Sequence, residues 1–134
     1  MTDAILLDTS VWVRFLRRGA DADLVGRVAA WLAQGRAATT ELVKVELLQA
    51  ARTEDDYQRL GHRLEALPNY RADEAVFRDA ARNGFKLRRS GVIIPTVDLV
   101  IATIAQRAGA TLAHFDRHYE MAAPVLGIET YSLL

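Results

Sequence analysis

A chain of 134 residues, 51% hydrophobic and 25% charged, has the size and balance of a single folded domain spanning 1–134, which excludes a disordered or fibrous chain. Lys+Arg and Asp+Glu both number 17, so net charge does not point to nucleic acid. The absence of cysteine excludes disulfides, thiolate zinc sites and thiol nucleophiles, so any metal must be held by oxygen or imidazole.

No apolar run approaches the roughly 20 residues of a bilayer span, and the N-terminus lacks a basic region followed by a signal-length apolar core. The expected location is the cytoplasm, away from membranes. Charge is nevertheless clustered, with Arg14, Arg17 and Arg18 close together and Arg82, Lys86, Arg88 and Arg89 forming a second group.

The apolar run Ile5-Leu-Leu ends in Asp8-Thr9-Ser10, the pattern of a buried parallel strand presenting a carboxylate at its C-terminal end. In open α/β sheets that end is where sites form. The alternative is local: Thr9 or Ser10 caps the next helix and Asp8 favours its positive end. Val11, Trp12, Phe15 and Leu16 predict a helix over 10–18, which places Arg14 near the strand end, and a second helix runs over 21–34 to Gly35.

Residues 36–39 predict a short strand, and Thr39 or Thr40 caps a helix carrying Leu42, Val43, Val45, Leu47 and Leu48. Glu46 shares a face with Leu42 and Val43, so its carboxylate is partly shielded and needs a partner or a route to water. Thr53-Glu-Asp-Asp56 resembles a capping box and opens a helix that Pro68 ends. His62 reads as a surface or packing residue. A brief strand is expected over 67–70, then a helix from Asp73 to Gly91.

Gly91-Val-Ile-Ile-Pro95 predicts a strand or extended run, followed by a helix with Thr96 as N-cap, Asp98 in its first turn and Val100, Ile101, Ile104, Ala105 and Ala108 as a buried stripe. Residues 110–115 predict a strand with Asp116 after it, as Asp8 follows the first. A short helix and a last strand over 128–133 complete the chain. The alternation predicts a three-layer α/β/α sandwich with a mostly parallel sheet.

Asp8, Glu46, Asp98 and Asp116 thus fall at two strand ends, inside one helix and at the start of another. If they share a cleft, their repulsion opposes folding unless a cation is present, and all-oxygen ligands suit Mg²⁺ or Mn²⁺. A phosphatase with Asp8 as nucleophile is disfavoured because Ser10 stands where a second Asp is usual.

At these residues the sequence resembles the PIN-domain family, most closely the VapC-type toxins of toxin-antitoxin pairs. Asp8-Thr-Ser-Val-Trp-Val is similar to the family's opening motif, Val45-Glu46-Leu-Leu to its glutamate helix, Pro95-Thr-Val-Asp98-Leu-Val-Ile-Ala to its third acidic motif and His114-Phe-Asp116-Arg-His-Tyr-Glu to its fourth. These motifs span nearly the whole chain in the family's order. His114 departs from the small polar residue often found before the fourth acid.

The resemblance implies a metal-dependent endoribonuclease in which Asp8, Glu46, Asp98 and Asp116 bind one or two Mg²⁺ or Mn²⁺ ions and Thr9 or Ser10 supports Asp8 or a water. A water activated at the metal would attack the phosphate in line and leave a 5′ phosphate. Glu120 stands outside that set. The resemblance also implies a homodimer and a cognate VapB-type antitoxin lying across the site. Arg14, Arg17, Lys86, Arg88 and Arg89 are candidates for holding the RNA backbone. The alternative is a PIN-like module that binds RNA or protein without catalysis.

Overall fold

Ile5, Leu6 and Leu7 are all buried, as a strand covered on both faces requires, and they form β1 (Ile5–Leu7) of a four-stranded parallel sheet. The structure is a computed structural model and describes residues 3–134. After β1 come α1 (Thr9–Phe15), α2 (Ala22–Ala33), β2 (Ala37–Ala38), α3 (Glu41–Gln49), α4 (Glu54–Glu65) and α5 (Glu74–Arg89). Then follow α6 (Thr96–Ala108), β3 (Thr111–His114), α7 (Arg117–Leu126) and β4 (Thr130–Ser132).

The sheet order is β2-β1-β3-β4, with Leu6 paired to Ala38 on one side and Leu112 on the other. The chain leaves β1 toward one edge to make β2 and returns on the other side as β3. The strand order therefore reverses between β1 and β3, the place where open parallel sheets form a crevice at the C-terminal ends of their strands. The helices form two groups, with α1 packed on α2 and α3, and α5, α6 and α7 packed on one another, giving the expected three layers.

Several local expectations change. The first helix ends at Phe15 rather than 18, with Leu16 as its C-cap and Gly19 in a left-handed turn beyond it. Residues 91–95 form no strand: the Val92 N–H closes α5 by donating to Leu87 O at 2.9 Å, Pro95 has no N–H for a ladder, and Ile93 is 61% exposed. The strand expected over 67–70 shrinks to one bridge between Thr39 and Asn69, and the last strand is confined to 130–132. The cap of α6 is Pro95, not Thr96, which is already helical; Pro95 O accepts the Leu99 N–H at 2.9 Å. His62 is exposed.

Candidate metal centre

β1 and β3 lie side by side, so the residues that follow them emerge together. Asp8 donates its backbone N–H to Ala113 O at 3.0 Å, which ties the end of β1 to β3 two residues before Phe115 and three before Asp116. Each aspartate is also the N-cap of the helix after its strand. Asp8 Oδ2 accepts the Ser10 N–H at 3.0 Å, and Asp116 Oδ1 accepts the His118 N–H at 2.9 Å. The cap of α1 is thus Asp8 itself, rather than Thr9 or Ser10 as the local alternative had it.

The two hydroxyls after Asp8 have separate partners. Ser10 Oγ donates to Asp8 Oδ2 at 2.6 Å and accepts the Phe115 N–H at 3.1 Å, fastening Asp8 to the end of β3. Thr9 Oγ1 donates to Glu46 Oε1 at 2.6 Å. Glu46 is half-buried on α3, and this hydroxyl is the partner its shielded carboxylate needs.

Asp98 arrives on the first turn of α6, with its side chain 20% exposed. Burial, together with the neighbouring charges of Asp116 and Asp8, pushes its carboxyl up to about 6 from an ordinary value of 3.8. Burial also acts to raise Asp116, but the His118 backbone N–H and imidazole outweigh it and hold that carboxyl below the usual range. Two adjacent acids driven apart in this way titrate as a pair, and the last proton to leave is the one on Asp98.

Two residues that sequence reasoning left unassigned join the cluster. Tyr119 is wholly buried, and its hydroxyl donates to Asp8 Oδ1 at 2.7 Å while lying 3.4 Å from Asp98 Oδ1. Burial and the charges of Asp8 and Asp98 push its ionisation far above the ordinary phenol range, so it remains a fixed donor. The available signal was chemical: a fully buried Tyr needs a partner for its hydroxyl, and Tyr119 stands one turn beyond Asp116. Tyr119→Phe is expected to lower stability by about 1.5–3 kcal/mol, the usual worth of a hydrogen bond to a charged group, read as a reduced denaturation midpoint with unchanged slope.

His118 is the second. Its Nδ1 lies 2.9 Å from Asp116 Oδ1 and 3.5 Å from Asp98 Oδ2. One ligand atom from each of Asp98, Asp116 and His118 falls within 4.8 Å of the others, so this donor set fits a divalent ion.

His114 and Glu120 lie behind the site. His114 is fully buried; its Nδ1 accepts the Asp116 N–H at 3.0 Å and its Nε2 faces Glu120 Oε2 at 2.9 Å, which fixes the proton on Nε2. Glu120 Oε2 also accepts from Thr130 at 2.5 Å, so this carboxylate serves as a brace for the ring that holds Asp116.

Of the basic candidates, Arg14 and Arg88 meet residues that adjoin the acids. Arg14 stacks 4.0 Å over the Phe115 ring, next to Asp116, and shares a cleft with Arg17. Arg88 lines a second cleft with Thr96 and Leu99 on the turn that carries Asp98, while Lys86 and Arg89 are exposed on the same last turn of α5.

The family model for the PIN domain matches residues 5–123. Ribonuclease VapC11 of Mycobacterium tuberculosis is 30% identical over 131 residues, 96% of this chain and 98% of its own length. Among solved structures, VapBC-5 of Mycobacterium tuberculosis, from the VapBC family of toxin-antitoxin systems, superposes with a TM-score of 0.67 at 25% identity, covering 98% of this chain and 100% of that one. VapBC2 of Rickettsia felis, bound to a DNA fragment from its promoter, gives a TM-score of 0.78 at 18% identity, over 96% and 98% of the two chains.

Proposed function

The chain belongs to the PIN-domain family, and on that basis we propose that it is a Mg²⁺- or Mn²⁺-dependent endoribonuclease acting as the toxin of a toxin-antitoxin pair. One observation carries the reading: acids from distant parts of the chain gather around the hydroxyl of Tyr119 at the reversal point of the sheet. Asp8, Asp98 and Asp116, with Glu46 fastened beside Asp8 through Thr9, are the residues that would hold the ion.

A bound divalent ion supplies Lewis acidity, making water nucleophilic and neutralising charge on the phosphate and on the departing 3′ oxygen. The protein's share is positional. Ser10 and Tyr119 fix the two oxygens of Asp8, His114 fixes the backbone of Asp116, and Thr9 fixes Glu46, so these acids are held before any ion arrives. Arg14 and Arg17, with Lys86, Arg88 and Arg89, would hold the RNA backbone by its phosphates. None of these contacts requires a ribose 2′ hydroxyl; preference for RNA is carried by the kinship with ribonucleases.

For the partner, the kinship points to a VapB-type antitoxin, and we propose in addition that the toxin pairs with a second copy of itself. An apolar cleft formed by Trp12, Phe15, Leu32, Leu60, Leu64 and Leu67 offers such a partner a surface. Among the described residues no helix is long and apolar enough to cross a membrane.

The test combines RNA cleavage with calorimetry. Mn²⁺ or Mg²⁺ should support cleavage to fragments bearing 5′ phosphates, and a chelator should stop it. Asp8→Asn should lose both Mn²⁺ binding and cleavage. Cleavage that persists in chelator, or equal Mn²⁺ binding by the variant and the unsubstituted chain, would reject the reading, and RNA binding without cleavage would favour a non-catalytic module.

A further inference from the structure

The third member of the tight cluster beside Asp98 and Asp116 is an imidazole. We propose that His118 binds the metal directly through Nδ1, and that this nitrogen makes the centre take a transition ion such as Mn²⁺ in preference to Mg²⁺. The proposal rests on the metal-dependent reading above and adds to it the identity of one ligand and the class of ion.

The first support is spacing. Around an octahedral ion with bonds of about 2.1 Å, neighbouring ligand atoms stand about 3 Å apart. His118 Nδ1 is 2.9 Å from Asp116 Oδ1 and 3.5 Å from Asp98 Oδ2, so the nitrogen already occupies a position next to both oxygens.

The second support is independent of spacing. His118 Nδ1 is shielded from solvent, yet among the described residues it makes no well-formed hydrogen bond, although Asp116 Oδ1 stands 2.9 Å away. A shielded polar atom without a partner is costly, and a lone pair directed at a cation would satisfy it. The ring is mounted for the purpose: the backbone N–H of the same residue grips Asp116 Oδ1, so carboxylate and imidazole are set by one turn of α7. Coordination uses the Nδ1 lone pair and leaves the ring proton on Nε2.

The ion preference follows from ligand chemistry. Mg²⁺ is a hard ion that keeps to oxygen and demands a near-ideal octahedron, whereas imidazole suits first-row transition ions. A site of carboxylates alone would discriminate less between Mg²⁺ and Mn²⁺.

The experiment is pulsed electron paramagnetic resonance of Mn²⁺ on the full chain, with calorimetric titration of Mn²⁺ and Mg²⁺ into the unsubstituted protein, His118→Ala and His118→Asn. The His118 side chain is 41% exposed and its backbone N–H survives substitution, so both variants should fold, which their melting curves will check. The unsubstituted protein should show coupling to a directly bound nitrogen, and both variants should lose it. Mn²⁺ binding should weaken about tenfold or more in the variants while Mg²⁺ binding changes by less than about threefold.

Mn²⁺ bound without nitrogen coupling, or equal weakening for the two ions, would overturn the role of His118. The four-acid reading would still stand in that case if Asp98→Asn abolished binding of both. Failure of the unsubstituted protein to bind either ion would overturn both proposals.

Discussion

Asp98→Asn is expected to abolish RNA cleavage and yet raise the melting temperature of the metal-free protein near neutral pH. In the folded chain the Asp98 carboxyl titrates at about 6, against 3.8 for the free side chain, because burial and the charges of Asp116 and Asp8 disfavour its ionised form. Below about pH 4 the group is protonated whether folded or unfolded, so its contribution to stability is fully present. As pH rises toward about 6 the unfolded chain releases the proton while the folded chain retains it, and stability falls.

Above that point the native state carries an ionised carboxylate at a cost of about 1–2 kcal/mol, once the full two-unit equivalent is discounted for solvent screening. Asparagine keeps the shape and removes the charge. The variant should therefore melt several degrees higher than the unsubstituted protein near pH 7, and the two should converge near pH 4. Equal or lower stability of the Asp98→Asn variant near neutrality, in the absence of metal, would contradict the electrostatic account, and residual cleavage would remove Asp98 from the metal centre.

Saturating Mn²⁺ should raise the melting temperature of the unsubstituted protein by about 10 °C, since an ion at about a hundredfold above its Kd contributes about 2.7 kcal/mol and each kcal/mol moves a domain of this size by about 3–4 °C. The effect should fade as pH falls. Below about pH 6 the ion must displace a proton from Asp98, so its affinity drops by up to tenfold per pH unit and the thermal shift shrinks with it. Differential scanning fluorimetry with and without Mn²⁺ at several pH values reads this directly. A melting point indifferent to metal, or a shift of the same size at pH 5 and pH 7, would argue against carboxylate ligation.

The layers of the fold were legible because each strand and helix carries its own local signal. Ile5-Leu-Leu is a continuous apolar run, α6 has a broad buried stripe, and strand and helix alternate in the order a parallel sheet needs. The errors fell where tertiary context overrides propensity. Val92-Ile-Ile looks like strand, but Val92 is used to close α5 and the run pairs with none of the four strands. Thr96 is a good cap by composition, yet Pro95 has the extended backbone that the cap position needs, with ψ of 149°.

At the site, the positions of Asp8, Asp98 and Asp116 could be placed from their elements. What joins them could not. Tyr119 reads in sequence as one more residue of a short terminal helix, and only the packing of α7 against α6 and the end of β1 brings its hydroxyl to two carboxylates. His114 and Glu120 were likewise legible as polar residues near the fourth acid, but the pairing that turns them into a support for Asp116 spans β3, α7 and β4.

The double service of Asp8, as cap of α1 and as a member of the acidic cluster, limits how this chain can be silenced by mutation. Asn and Ser cap a helix about as well as Asp, whereas Ala forfeits about 1 kcal/mol. A drift from Asp8 to Asn would switch off the chemistry and leave the architecture whole, while Asp8→Ala would fray the first helix at the same stroke. Natural inactive descendants of this sequence should accordingly carry a capping residue at position 8 rather than an arbitrary one, and an investigator seeking an inert but well-folded bait for partner capture should choose Asp8→Asn.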